Sequence, residues 1–420
     1  MNIRTFPAAA AAMLLALTSG SAMSQENLRP RARDLGIQVG VFSTGTHNAI
    51  TDVPGVRVGQ VTVWEGEDIR TGVTAILQHP GNVFREKVPG AVVVGNGFGK
   101  LVGVTQIREL GEMETPILLT CTLCVWKAAD FMVEWLLEQE DMEGVGSINP
   151  VVGETNDGGL NDIRSRPIRR EHVRQALETA AGGPVEEGAV GAGTGTRAFG
   201  WKGGIGSSSR VLPEALGGYT VGVLVQSNYG GILTMAGAPL GQALGQYAFQ
   251  RYVEESGALP DGDSQGDGSP ASPPLPPQDS APVDNGSGIP DARGGSIMMV
   301  VATDAPLSAR NLERLARRAL MGLARTGSSG SNGSGDYVLA FSSAPQVRRR
   351  GDDHGPRQIL DLPNHRMPGL FQAAIEATEE AIYNSLLRAV TVTGFRGRTA
   401  EALPLEETVD ILKKHGVVKN

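Results

Sequence analysis

Cysteine is nearly absent: the 420 residues include two, Cys121 and Cys124, and six scattered histidines. That count argues against a Cys/His metal scaffold. Aromatic side chains reach only 5%. Past the first two dozen residues, no stretch approaches 18 uninterrupted apolar residues, which excludes a membrane bundle. The net charge of −8 comes without a concentrated Lys/Arg stripe, which argues against nucleic acid as a partner. What is present is 40% apolar and 20% charged residues, enough for a real core. Glycine is abundant at 57 residues, about twice the usual share, so many tight turns and close backbone approaches are expected. The length suits two or three domains or one large α/β layer domain.

The N-terminus carries Arg4, then an Ala/Leu-rich run over 7–18, then small residues at Ala22-Met23-Ser24. This pattern predicts a secretory signal peptide over residues 1–24, cleaved near Ser24-Gln25, and hence a periplasmic or secreted protein. In an exported chain the Cys121-x-x-Cys124 spacing fits a local disulfide or two buried small hydrophobes; no thioredoxin-type context accompanies it.

The remainder alternates strands and helices. Ala91–Val94, Pro116–Thr120, Tyr219–Gln226, Ser296–Thr303 and Tyr337–Ser342 read as strands. Val125–Gln139 reads as a helix. So does Ser308–Arg325, with Leu312, Leu315, Ala316, Ala319, Leu320 and Leu323 on one face and Ser308 as its N-cap. Leu370–Val390 repeats the pattern through Phe371, Ala374, Ile375, Thr378, Ile382 and Leu386. Between about 256 and 295 the chain is mostly Gly, Pro, Asp and Ser, which predicts a linker. That stretch ends on Gly295-Ser296, at the mouth of an apolar strand.

A hydroxyl beside its own preceding carbonyl can attack it, shifting the acyl group from N to O; water then frees a new N-terminal Ser. The released α-amine has a pKa of roughly 7.7–8 and can serve as general base for its own hydroxyl. Gly295 removes a Cβ that would hinder the attack and allows unusual φ/ψ. Other motifs lead nowhere. Gly95-Asn-Gly-Phe-Gly99-Lys100 lacks the Walker A pattern, and Gly193-Thr-Gly195-Thr-Arg-Ala198 has no acidic partner for a dinucleotide. His79 and His172 have no partner at ligand spacing, so neither metal nor other cofactor is expected. Arg348–Arg350 is expected to be a solvated loop.

The surroundings of Ser296 are familiar. Ser296-Ile-Met-Met-Val-Val-Ala-Thr-Asp304-Ala-Pro-Leu307 and Asn332-Gly-Ser334-Gly-Asp336 resemble the DmpA-type L-aminopeptidase/D-amidase-esterases and the β-peptidyl aminopeptidases. So do Ile50-Thr-Asp-Val-Pro-Gly-Val56, Phe84-Arg-Glu-Lys-Val-Pro89, Gly95-Asn-Gly-Phe-Gly99, Gly153-Glu-Thr-Asn-Asp157, Gly191-Ala-Gly-Thr-Gly195, Lys202-Gly-Gly-Ile-Gly206 and Gln226-Ser-Asn228. The match runs in order from about residue 34 to 410. The resemblance implies an α/β (α+β) four-layer αββα sandwich like that of ornithine acetyltransferases. It implies self-cleavage into an α chain, 25–295, and a β chain, 296–420, with Ser296 as nucleophile on Gly295 and then on substrate. Asn228 would stabilise the oxyanion, Ser334 and Asp336 would lie beside the nucleophile, and Glu154 would receive the substrate ammonium. Asn156 would join it in substrate binding. Substrates would be small peptides, amides or esters with a free amino group, D-Ala and β-amino compounds among them, and αβ units would assemble as a tetramer. Two alternatives stay open: an ornithine-acetyltransferase-type acyltransferase, whose second chain typically starts with Thr, and a non-catalytic periplasmic binding protein.

Overall fold

The computed structural model describes residues 29–256, 295–351, 355–356 and 358–419. The expected signal peptide over 1–24 and nearly all of the 256–295 stretch lie outside the described residues. Within them, alternating apolar residues build two sheets. The smaller has four strands, Arg57–Glu65 (β1), Ile69–Leu77 (β2), Ile117–Cys121 (β4) and Val151–Thr155 (β5), in the order β1-β2-β4-β5. The larger has Glu86–Gly97 (β3), Gly204–Val211 (β6), Thr220–Asn228 (β7), Ser296–Thr303 (β8) and Gly335–Ser342 (β9). Its central order is β3-β9-β8-β7-β6, and two-residue strands at Glu112–Met113 and Arg349–Arg350 pair with β3.

Ile76, Ile117, Leu119 and Val151 of the small sheet meet Leu224, Met298, Val300 and Leu339 of the large one in an inter-sheet core. Helices Val125–Leu137 (α1) and Arg170–Glu178 (α2) cover the small sheet, burying Val125, Ala128, Met132 and Val173. Helices Ala309–Arg325 (α3) and Pro368–Leu387 (α4) cover the large one, burying Leu312, Leu315, Ala319, Ala381 and Ile382. The result is the expected αββα stack. β8 is buried on both faces, which is why Ile297–Ala302 reads as one apolar run rather than an alternation. The crossover through α3 makes β8 and β9 parallel neighbours. Ser308 caps α3 by accepting the Asn311 N–H, as its position in the sequence predicts.

Two expectations need correction. Arg348–Arg350 is not simply a solvated loop: Arg349 and Arg350 form an edge strand beside β3, Arg348 and Arg349 are partly buried against Glu86 and Glu112, and only Arg350, also paired with Glu86, stays exposed. Helix α4 is buried on nearly every side rather than along one stripe, and that burial includes Glu376, Glu379 and Glu380. The acids are tolerated because they are paired. The fully buried Arg210 of β6 reaches Glu376 at 3.1 Å and Glu380 at 2.7 Å, while Arg325 reaches Glu379 at 3.1 Å. Removing one partner of such a pair strands the other in low dielectric. Arg210→Met should therefore lower unfolding stability by about 3–5 kcal/mol in urea titration. A loss under about 1 kcal/mol would show that the carboxylates find other partners.

Candidate active site

Register places the sequence candidates. Ser296 is the first residue of β8, opposite Asn228 in the antiparallel pairing with β7 and opposite Gly335 in the parallel pairing with β9. Gln226 and Met298, two residues inward on each strand, face the small sheet, so Asn228 and Ser296 stand on that inner face. Ser296 is buried, and its Oγ accepts the Gly335 N–H at 3.2 Å. The same N–H donates to the Gly295 carbonyl oxygen at 3.1 Å. One donor thus spans the hydroxyl and the carbonyl it would attack. A Cβ on Gly295 would lie 2.2 Å from Tyr229 Cα and 2.4 Å from Asn228 O. The glycine is required by this close approach rather than by an unusual φ, since its φ lies outside the left-handed region.

Asn228 is fixed at both ends of its carboxamide: Oδ1 accepts the Arg197 N–H at 2.9 Å, and Nδ2 donates to Asn156 O at 3.0 Å. That network assigns the oxygen and nitrogen. Asn156 contributes its backbone here, because its side-chain Oδ1 turns back to accept the Gly158 N–H at 3.0 Å. Ser334 Oγ donates to Asp336 Oδ1 at 2.5 Å, and both residues are buried. Burial raises the Asp336 carboxyl above its ordinary range, and the Ser334 hydroxyl works against that rise. The loop before β9 is held by Asn96, whose Nδ2 donates to Ser331 O and Asn332 O, each at 3.1 Å.

Glu154 stands apart from this group, on β5 in the smaller sheet. It accepts the Lys100 N–H at 2.8 Å and the Thr122 hydroxyl. Burial raises its carboxyl, opposed by those two hydrogen bonds. Burial raises the phenol of Tyr337, and the charges of Glu154 and Asp336 act in the same direction. Cys121 and Cys124 are joined as a disulfide around Thr122. Ser296, Asn228, Ser334, Asp336 and the Asn156 carbonyl therefore share one strand end, and Glu154 lies two residues before Asn156, paired with Thr120 across the small sheet. The sequence did not single out Thr122, Asn96, Tyr337 or the Arg197 and Gly335 amides. Backbone donors have no residue signature, although Asn96 and Arg197 lay in glycine-rich motifs. His79 is occupied structurally, its Nε2 lying 2.8 Å from Glu86 O.

Residues 48–400 match the family model described as peptidase family S58. The chain belongs to peptidase family S58. It is 41% identical to the beta-peptidyl aminopeptidase BapA of Sphingosinicella microcystinivorans, over 99% of this chain and 98% of that one. Among solved structures it superposes on a Burkholderia sp. beta-aminopeptidase with a TM-score of 0.77 and 38% identity, covering 92% of this chain and 99% of the other. The L-aminopeptidase D-Ala-esterase/amidase of Ochrobactrum anthropi, described as a variant of the Ntn hydrolase fold, gives a TM-score of 0.76 and 34% identity, over 93% and 100%. This S58 chain is thus a serine hydrolase with aminopeptidase activity, and the non-catalytic alternative gives way.

Because the Asp336 carboxyl is raised in the fold, the folded state binds its proton more tightly than the unfolded state does. Its favourable contribution is complete below the ordinary Asp value and is lost as pH rises through the raised one. Asp336→Asn should therefore gain stability relative to wild type in urea unfolding as pH rises above the ordinary Asp value; a pH-independent difference would contradict the desolvated carboxyl.

Proposed function

We propose that the chain cleaves itself between Gly295 and Ser296 and then removes N-terminal residues, β-amino residues included, from small peptides, amides or esters. The observation that carries this reading is the pairing of Ser296 with Asn228 on one side and Gly335 on the other, with one N–H bridging hydroxyl and carbonyl. In self-cleavage Ser296 Oγ attacks the Gly295 carbonyl carbon. The C–N bond breaks, the hydroxyl proton passes to the departing nitrogen, and water hydrolyses the resulting ester. Asp336, its carboxyl raised by burial, is the base within reach of Ser334 for proton traffic.

In turnover the freed α-amine takes the Ser296 hydroxyl proton as Oγ attacks the substrate carbonyl, and the leaving amine carries that proton away. Water then releases the acyl group. Asn228 donates to the oxyanion without titrating. Glu154 receives the substrate ammonium. Its buried carboxylate has two neutral hydrogen-bond donors, so an incoming cation supplies the countercharge that burial otherwise makes costly. Ser as the first residue of the second piece favours hydrolysis over the acyltransferase alternative. The names of the relatives support the β-amino preference. Export through residues 1–24 and a tetramer of αβ units belong to the same proposal, resting on the leader pattern and the family resemblance.

Wild-type protein should run as two bands on a denaturing gel, the smaller beginning Ser-Ile-Met-Met by Edman degradation, and Ser296→Ala should give one band without amidase activity. Two bands from that variant would remove Ser296 from the self-cleavage. Glu154→Gln should raise KM for a free-amine amide roughly 10-fold or more while the precursor still processes, in line with the strength of a charge-assisted contact; an unchanged KM would contradict the ammonium role.

A further inference from the structure

Two buried charges lie close to the site and take no part in the mechanism above. Lys202 is wholly buried, and its Nζ donates to Gly193 O at 2.8 Å and Gly203 O at 2.7 Å. Asp157 is buried as well. Its Oδ1 accepts Asn161 Nδ2 at 3.0 Å, and the Thr71 hydroxyl also acts on its carboxylate. Burial lowers the Lys202 ammonium to about 7, and the charge of Asp157 works the other way. Burial also raises the Asp157 carboxyl to about 7. Two unlike groups, each costly to bury, have been placed within each other's field.

Their anchorage points to a reason. Lys202 ties together the two ends of a loop: Gly193, which also accepts the Thr196 hydroxyl at 3.0 Å, and Gly203, whose N–H donates to Thr196 O at 3.1 Å. Arg197 pairs with Lys202 across the short hairpin inside that loop. Its N–H is the donor that fixes Asn228 Oδ1. The loop lies hard against β7, since a Cβ on Gly203 would meet Ser227 O at 2.5 Å. Asp157 sits in the other segment that touches Asn228. It directly follows Asn156, whose carbonyl takes Nδ2, and its own carbonyl accepts the N–H groups of Leu160 and Asn161 at 3.0 Å. Each end of the Asn228 carboxamide is therefore held by a segment carrying one member of the charge pair.

We propose that Asp157 and Lys202 form a positioning pair that orients the Asn228 carboxamide, so that its second Nδ2 hydrogen is presented to the oxyanion forming at Ser296. The inference rests on the oxyanion role given to Asn228 above. Neither member touches the substrate; both act through the loops that grip the amide. A donor that is displaced rather than deleted loses part of a contribution realised only in the transition state, so kcat should fall while KM stays put.

The test uses the full-length chain and an amino-acid amide, with Lys202→Met, Asp157→Asn, their combination and Asn228→Ala measured beside wild type. Asp157→Asn keeps the acceptor for Asn161 and the residue volume, so it serves if Lys202→Met fails to fold. Each single variant, folded by circular dichroism, should lose roughly 10- to 100-fold in kcat with KM within about twofold, short of the full cost of deleting an oxyanion donor. The combination should lose no more than the worse single, because both act through one amide. A folded variant that stays uncleaved counts as the same loss in the self-cleaving step. A folded Asp157→Asn or Lys202→Met with wild-type kcat, or one whose losses multiply in the combination, overturns the pair. If instead Asn228→Ala keeps wild-type kcat, the oxyanion role itself fails, an outcome distinct from failure of the pair.

Discussion

The structure turns on the pairing of one residue. Ser296 opens the central strand of the larger sheet with a neighbour on each side, Asn228 antiparallel and Gly335 parallel. A slip of one residue in either ladder would turn the Ser296 side chain to the opposite face, away from the small sheet and into the helix-covered core. Register is held because that strand is apolar on both faces: Met298, Val300 and Ala302 bind it to the inter-sheet core, while Ile297, Met299 and Val301 bind it to α3 and α4. The packing that makes the strand unremarkable as a core element is also what fixes the position of its first hydroxyl. The parallel partner matters separately. The β9–β3 ladder shifts register between Asp336 and Tyr337, next to the side-chain bond from Ser334 to Asp336.

Burial sets the electrostatics of the site. Asp336, Glu154 and Asp157 all have carboxyls raised by desolvation, and Lys202 is lowered by the same cause. Hydrogen bonds from Ser334, Thr122, Lys100 and Asn161 offset these shifts in part. Contrast Glu376 and Glu380, equally buried but held by the Arg210 guanidinium. The two sets divide by partner. Where a guanidinium bonds the carboxylate directly, the acid ties helix to sheet; where only neutral donors bond it, burial leaves the carboxyl raised. That difference distinguishes the two sets more clearly than burial alone, because every one of these groups is inside.

Local pattern carried the elements. The β8 run, the α3 stripe with its Ser308 cap, and the Gly295-Ser296 junction are all visible as periodicity or composition, and the ordered motifs supplied the sandwich. Non-local facts were invisible to that approach. The stripe drawn along α4 missed Glu376, Glu379 and Glu380 because their burial depends on Arg210 and Arg325, far away in sequence. The partners of the Arg348–Arg350 run were missed because Glu86 and Glu112 lie more than two hundred residues earlier. At the site, Ser296, Asn228, Ser334 and Asp336 could be named from motifs. Asn156 was expected in substrate binding, and its carbonyl holds Asn228; the Gly335 and Arg197 amides belong to no residue type.

The same ladders decide what a break at 295–296 would do to the molecule. Pairing of β8 with β7 and with β9 begins at Ser296, so cutting before it removes none of those rungs; only the Gly335 bond to the Gly295 carbonyl belongs to the severed side. Residues 296–419 bring β8, β9, α3 and α4, while β3 and β7 on either side come from the earlier part of the chain. The two pieces therefore alternate within one sheet, and Arg210 of the first is buried against Glu376 and Glu380 of the second. Neither piece could leave without opening two strand interfaces and stranding buried charge, which costs far more than one peptide bond's worth of tethering entropy provides. A new chain end can thus appear at the centre of the sheet with its hydroxyl still aligned, which an amine acting on its own neighbouring hydroxyl requires.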